Sequence, residues 1–452
     1  MLRIQPPSLS VTDRLHGVVD RAVKPPVRWT LGHGLPRVVI GRAARRGDLQ
    51  GRLIETARRS GDLADLLPIF NEARAAGPLA RGRLSAVSCS HPAVKEVLSD
   101  SSFVTGLPDF AGGLISRLSA WSASEVFSPV QPPSLLVTEP PDHTRYRKLV
   151  TRVFSVKAVN GLKERTQQVA SELVDQMDSA GGDPVDLVTR YCGLLPVTVI
   201  SEILGVPTSE RDQILAWGEG AAASLDLGLG WEKFRTVEKA LAGFEGWLTD
   251  HLERLRREPG DNLLSQLIAA QEDGVGLTER ELRATAGLVL AAGFETTVNL
   301  LGNGIALLAA DRDQLDGLLA DPSGWGNAVD EILRFDPPVL LTARLATQET
   351  EVAGVRVPAG LMVTTVLAAA NRDPDVFTDP DRFDVNRVNA RDHVSFSAGR
   401  HYCLGAQLAR MEGEIGLRTL FERHRDLQLL PGSARRETRI LRGYATLPAR
   451  LS

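Results

Sequence analysis

Cysteine is scarce in this 452-residue chain. Cys89, Cys192 and Cys403 are odd in number, far apart and outside any C-x-x-C spacing. That argues against a disulfide framework or a zinc cluster, and no four-cysteine spacing is present for an iron–sulfur centre. A reducing, cytoplasmic setting follows as the expectation. Residues 1–10 hold one arginine with no apolar stretch after it, and the longest apolar run, near 288–294, falls far short of a membrane span. No Gly/Ser-rich or Pro-rich linker divides the chain, and repeats and low-complexity tracts are missing, so one large fold is expected. A flavin motif and the length for a fused reductase are lacking too.

What is present begins with charge. The formal net charge is −4, yet residues 1–60 carry 12 Lys/Arg against 4 Asp/Glu. We therefore divide the chain into a basic N-terminal extension, 1–60, and a single domain, 61–452. Arg42, Arg45, Arg46 and Arg52 could rest an amphipathic arm on an anionic membrane or a partner, although a solvated helix face is the commoner explanation. Nucleic acid is not expected, because Trp29 is the only aromatic available for base stacking among these charges.

Periodicity is mostly helical, over 63–75, 92–99, 142–154, 160–179, 187–204, 209–223 and 231–257. Strand-like alternation is confined to 83–89 and to late segments at 343–346, 351–357, 361–367 and 438–447. Residues 104–138 read as a long loop, of a length that is usually functional or disordered. The expected class is mainly α with small peripheral β-sheets, an α+β arrangement.

Two segments carry chemistry. Around Cys403 the run Phe396-Ser397-Ala398-Gly399-Arg400-His401-Tyr402-Cys403-Leu404-Gly405 supplies two glycines for tight turns, and a helix starts just after the thiol. A free thiol titrates near ~8.5, so a thiolate there needs a cation and backbone N–H groups aimed at the sulfur, and a helix N-terminus favours its charge. A lone thiol is more often a small buried apolar side chain. The second segment is a long helix opening on the capping box Thr278-Glu279-Arg280-Glu281. In its middle, Ala292-Gly293-Phe294-Glu295-Thr296-Thr297 puts small side chains, a carboxylate and two hydroxyls into an apolar helix. A β-branched hydroxyl can bond the carbonyl one turn back and open a groove.

Together these motifs resemble the cytochrome P450 family: F-x-x-G-x-x-x-C-x-G at 396–405, the oxygen-groove sequence at 292–296, and E-x-x-R at Glu331 and Arg334. The resemblance runs from about residue 60 to the C-terminus. It implies a P450 fold with haem b lying between the long central helix and the cysteine loop. Cys403 would be the axial ligand of the haem iron, with Phe396 and Gly405 shaping its loop. His143, Arg147, Arg344 and His401 would contact the propionates, and Arg382 would complete a Glu331–Arg334 network. Glu295 and Thr296 would relay protons to bound O2. Leu288, Ala291, Ala292, Val339 and Leu340 would line an apolar pocket, with the 104–138 loop as a further wall and 221–231 as a lid. One departure is Ser397, where the family most often has glycine.

The activity implied is a haem-thiolate monooxygenase that hydroxylates or epoxidises a lipophilic small molecule. Electrons would come ultimately from NAD(P)H through a separate ferredoxin, attracted by Arg145, Lys148, Arg152 and Arg400. Coupling, desaturation or peroxide-driven oxidation is the alternative, and a non-enzymatic haem sensor a third reading.

Overall fold

The computed structural model describes residues 22–451, apart from 107–112, 125, 154–155, 181–183 and 271–273. The first part of the basic extension lies outside the described residues. Helices dominate, and the sheets are small and peripheral, the largest having five short strands.

The spine is the helix Glu279–Ala310, capped at Thr278 by the expected reciprocal box with Glu281. At ~1.5 Å per residue it is about 48 Å long. Its buried residues occur on all sides, from Leu282 and Leu290 to Val298, Leu301 and Ile305, as a helix crossing a core requires. Length and composition would let it cross a membrane, but most of it is buried inside the protein. It packs on Ala406–Arg423, the helix after the cysteine loop, and on Leu194–Ile203, Arg211–Ala222 and Trp325–Phe335. Trp231–Arg257 is amphipathic instead, burying Phe234, Val237, Leu241, Phe244, Leu248 and Leu252 along one face.

The five-stranded sheet runs Ala80–Arg81, Ala86–Ser88, Met362–Thr365, Thr342–Ala346, Phe103–Val104. Ala86–Ser88 pairs parallel with Met362–Thr365, and the other pairs are antiparallel. This sheet carries Arg344 toward the centre of the molecule.

Several elements differ from the sequence reading. The 351–357 segment is a hairpin, Thr350–Val352 with Val355–Val357, turning at Ala353 and Gly354, both at positive φ. The 187–204 helix opens with a π-turn, Val188–Cys192, before Leu194–Ile203. The 104–138 loop contains the helix Leu114–Ser122, and beyond it Phe127 lies where a Cβ on Gly287 would come within 2.2 Å of its ring. A side chain at Gly287 would thus push this segment off the spine. Nor does packing break at residue 60, as the division into 1–60 and 61–452 requires. Ile40, Leu53, Ile54 and Ala57 share one cluster with Leu66, Phe70, Leu340 and Val366, so the extension is part of the domain from about residue 40.

One core carboxyl sits between the spine and the helix Ala406–Arg423. Glu412 is 3% exposed, and burial raises its pKa from 4.5 to about 8 with Thr297 as its hydrogen-bond partner. The Thr297 hydroxyl donates to the Gly293 carbonyl at 3.1 Å, and its contact with Glu412 opposes the burial shift without cancelling it. Between about pH 4.5 and 8 the folded state then holds a proton that the unfolded chain lacks, so stability falls as pH rises through that window, by at most ~1.4 kcal/mol per unit. Glu412→Gln should flatten this slope in denaturant titrations across pH. An unchanged slope would mean that Glu412 is ionised in the folded protein.

Candidate active site

The cysteine loop is held by its backbone. Cys403 N–H donates to the Phe396 carbonyl at 2.8 Å, and Ser397 N–H to Val394 at 2.8 Å. Gly399 has φ +65, and a Cβ there would lie 2.5 Å from the Leu98 carbonyl oxygen, so only glycine fits. Ser397 is also left-handed, at φ +64, which explains why glycine is the commoner residue there.

Cys403 is exposed by surface area, yet protein surrounds its sulfur closely enough for burial to push the thiol pKa up. Opposing burial are the Gly405 N–H and the charges of Arg147 and Arg410. Arg410 also lies over the Phe396 ring at 4.6 Å, and its Nε bonds buried Asp330 at 2.7 Å. With His393 on the same carboxylate, these partners hold Asp330 down to about pKa 2 against its burial.

Four cationic or donor groups gather beside this loop. His143 and Arg147 come from Asp142–Val153, Arg344 from its strand and His401 from the turn before Cys403. The His143 and His401 rings are 4.5 Å apart, and His143 Nε2 is buried without a partner. Arg344 is 5% exposed and, among the described residues, its hydrogen bonds go to Thr342 Oγ1 and the Ala343 carbonyl; burial lowers its pKa to about 10. One carboxylate stands among them: Glu139 accepts from His401 Nε2 at 3.1 Å and pairs with Arg400 at 3.2 Å. The cluster therefore has more donors than acids.

On the spine, Leu288, Ala292 and Thr296 form a partly open stripe at i, i+4 and i+8, while most neighbours are buried. Thr296 Oγ1 donates to the Ala292 carbonyl at 2.7 Å. Glu295 is 4% exposed; burial raises its pKa, and Arg436, 3.1 Å away and itself partly exposed, offsets this.

A family model described as Cytochrome P450 matches residues 326–448. The chain is 47% identical over 433 residues to the cytochrome P450 140 of Mycobacterium tuberculosis, covering 95% of this chain and 98% of that protein. The chain belongs to the cytochrome P450 family. It is also 43% identical over 321 residues to the vitamin D(3) 25-hydroxylase of Pseudonocardia autotrophica, covering 70% of this chain and 77% of that enzyme. Among solved structures, P450BioI in complex with a hexadec-9Z-enoic acid-ligated acyl carrier protein superimposes with TM-score 0.78 at 28% identity, over 88% of this chain and 100% of that one. CYP164A2 of Mycobacterium smegmatis gives 0.77 at 33%, over 89% and 99%.

P450s carry haem b on a cysteine thiolate, with electrons from NAD(P)H delivered through partners. The groups in this P450 suit that cofactor. An accessible thiol flanked by a backbone donor and two arginines can bind iron as a thiolate, and the unmatched His143 Nε2 and Arg344 guanidinium suit carboxylates such as propionates.

Some expectations need correction. Arg382 does not join the Glu331–Arg334 network through its side chain. Arg334 makes two bonds to Glu331, at 2.7 and 2.8 Å, and the third guanidinium is Arg387, whose Nε lies 3.2 Å from the same carboxylate. Arg382 contributes only its carbonyl, which accepts from both arginines while the side chain is exposed. The Pro380-Asp381-Arg382-Phe383 motif lies on the turn, and the chain reverses before the arginine that points inward. Ala291 and Leu340 are core rather than pocket wall. Ala291 is fully buried with Ala221, Leu229 and Phe234, and Leu340 with Leu53, Ile54 and Val366. Arg145 and Arg400 are tied to Glu281 and Glu139, so neither is a free docking charge; the Arg152 side chain lies outside the described residues. The sequence reading missed Asp330, Glu139 and Arg387, which stand in no recognised spacing.

Arg387→Ala should destabilise the protein by roughly 3–5 kcal/mol, because it leaves part of a buried carboxylate unpaired. Arg382→Ala should cost no more than about 0.5 kcal/mol. Urea unfolding of the two variants side by side would read the difference, and equal losses would overturn the assignment.

Proposed function

We propose that this chain, a P450 monooxygenase by family, takes electrons from a separate ferredoxin and hydroxylates or epoxidises a lipophilic small molecule, with Cys403 binding the haem iron and His143, Arg147, Arg344 and His401 the propionates. When bound, the haem supplies oxygen activation and C–H oxidation. The observation that carries the reading is the half-open stripe Leu288, Ala292, Thr296 on an otherwise buried helix. It offers apolar side chains to a substrate and a hydroxyl to ordered water or O2.

In this reading Thr296 holds the proton-bearing side of the site. Its hydroxyl, committed to the Ala292 carbonyl at rest, can turn to donate to an oxygen in the groove. Glu295 and Arg436 link the spine to the surface: a buried acid with a raised pKa, beside a guanidinium partly open to solvent, can take up and pass on protons. Val339, partly buried beside Val94 and Leu98, remains a wall candidate with Leu288 and Ala292. The relatives fit a lipophilic substrate. One is named as a vitamin D(3) 25-hydroxylase and another as a 6-deoxyerythronolide B hydroxylase, and one solved neighbour holds testosterone.

Thr296→Ala tests the assignment. Product formed per NAD(P)H consumed should fall by roughly tenfold or more, with released peroxide rising, while substrate-induced spectral shifts persist. Fully coupled turnover would remove Thr296 from this role.

A further inference from the structure

A second concentration of cationic side chains lies away from the cysteine. A cleft of about 420 Å³ opens between the helices Leu35–Arg45 and Leu49–Ser60 and the C-terminal segment, lined by Arg37, Arg42, Arg45, Arg58, Arg439 and a single carboxylate, Glu55. Arg58 pairs with Glu55 at 3.2 Å, and Arg439 lies 3.7 Å from the same carboxylate. Arg37, Arg42 and Arg45 have no acid within ion-pair distance among the described residues. Arg439 is 5% exposed and its Nε is buried without a partner. Guanidinium groups so arranged match the oxygens of a phosphate, which can accept from several at once.

Beside the cleft the surface turns apolar. Leu35, Val38 and Val39 are exposed at i, i+3 and i+4, with Arg42 one turn further along the same face. The helix Leu114–Ser122 exposes Leu114, Ile115, Leu118 and Trp121, Leu114 to 71%. Between the two lies Lys24–Trp29, which packs on Leu114–Ser122: Arg28 Nη1 donates to the Ser122 carbonyl at 2.6 Å, and the Lys24 ammonium stands 5.8 Å from the Trp121 ring. With Val23, these segments carry eight of the thirteen exposed large apolar side chains among the described residues. Such a concentration in a well-packed protein marks a surface that something covers.

Lys24–Trp29, the Thr30–Gly34 turn after it and the C-terminal segment clasp the expected lid. Trp29 Nε1 donates to the Leu229 carbonyl at 2.9 Å, Leu229 N–H to His33 at 3.4 Å, and Arg439 Nη1 to the Leu227 and Gly228 carbonyls at 3.0 and 3.3 Å. Arg28 also pairs with Glu238, on the helix that follows.

We propose that this face docks on an anionic phospholipid bilayer, with the arginine cleft holding a headgroup phosphate and the exposed Leu, Ile, Val and Trp side chains seated at the acyl boundary. Charge selects an anionic surface. The adjoining apolar helices select one with hydrocarbon behind the charge, since an acidic protein surface would leave those side chains without apolar partners. Docked in this way, the protein presents its lid segment at the membrane, where a lipophilic substrate concentrates.

The test is co-sedimentation of the haem-loaded protein, at low ionic strength, with vesicles of phosphatidylglycerol and phosphatidylcholine or of phosphatidylcholine alone. The expected result is binding to the anionic vesicles only, weakened at least tenfold in Arg42→Glu/Arg45→Glu, and weakened again when Leu114→Ser/Ile115→Ser is combined with it. Absence of binding, equal binding to both vesicle types, or indifference to the arginine changes would overturn the proposal. Thermal stabilisation by inorganic phosphate or by an acidic protein, with no vesicle binding, would overturn it in favour of a soluble anion. No turnover is needed, so the outcome is independent of the reaction proposed above.

Discussion

The cost of holding an anion inside a protein is the constraint on which the role proposed for Cys403 depends. Burial drives the Cys403 thiol toward its neutral form, and the Gly405 N–H with Arg147 and Arg410 works against it. Hydrogen bonds and distant charges offset part of the cost of a buried anion, and a bound cation offsets the rest. The loop is fixed by its own backbone hydrogen bonds. Two left-handed residues, Ser397 and Gly399, set its path, and Asn371 ties it down: its Oδ1 accepts from Val394 N–H at 2.8 Å and its Nδ2 donates to Ser395 at 2.7 Å. Asn371 in turn receives Arg334 on its own carbonyl at 2.9 Å, so the Glu331 network braces the cysteine loop from behind.

Adjacent residues on one helix brace it from two directions. Glu331 binds Arg334 and Arg387, which fasten the chain reversal before the loop. Asp330 binds Arg410 and His393, which fasten the helix after the cysteine loop and the start of that loop. Both carboxylates are fully buried, and each is matched by more than one cation. Removing one partner from either carboxylate would leave a buried charge uncompensated, which is strongly destabilising.

Much of this was legible in the chain. The capping box at Thr278 and the 32-residue spine follow from periodicity and a reciprocal pair of side chains, both local. Cys403, His143, Arg147, Arg344 and His401 stand in recognised spacings. What stayed hidden depends on chain reversals: Arg387 rather than Arg382 turns inward because the segment between them bends, and sequence spacing does not register a bend. Ala291 and Leu340 are apolar like any pocket residue, and only their contacts mark them as core. The basic extension looked separable because its charge differs from the rest, whereas Ile40, Leu53 and Ile54 bury its inner face in the domain.

The most direct measurement is the visible spectrum of the dithionite-reduced, carbon monoxide-bound protein beside that of Cys403→Ser. Ligation by Cys403 thiolate predicts a Soret band shifted far to the red in the wild type and lost in the variant. An ordinary carbon monoxide band that the substitution leaves unchanged would contradict it, and Cys403 would then be no ligand.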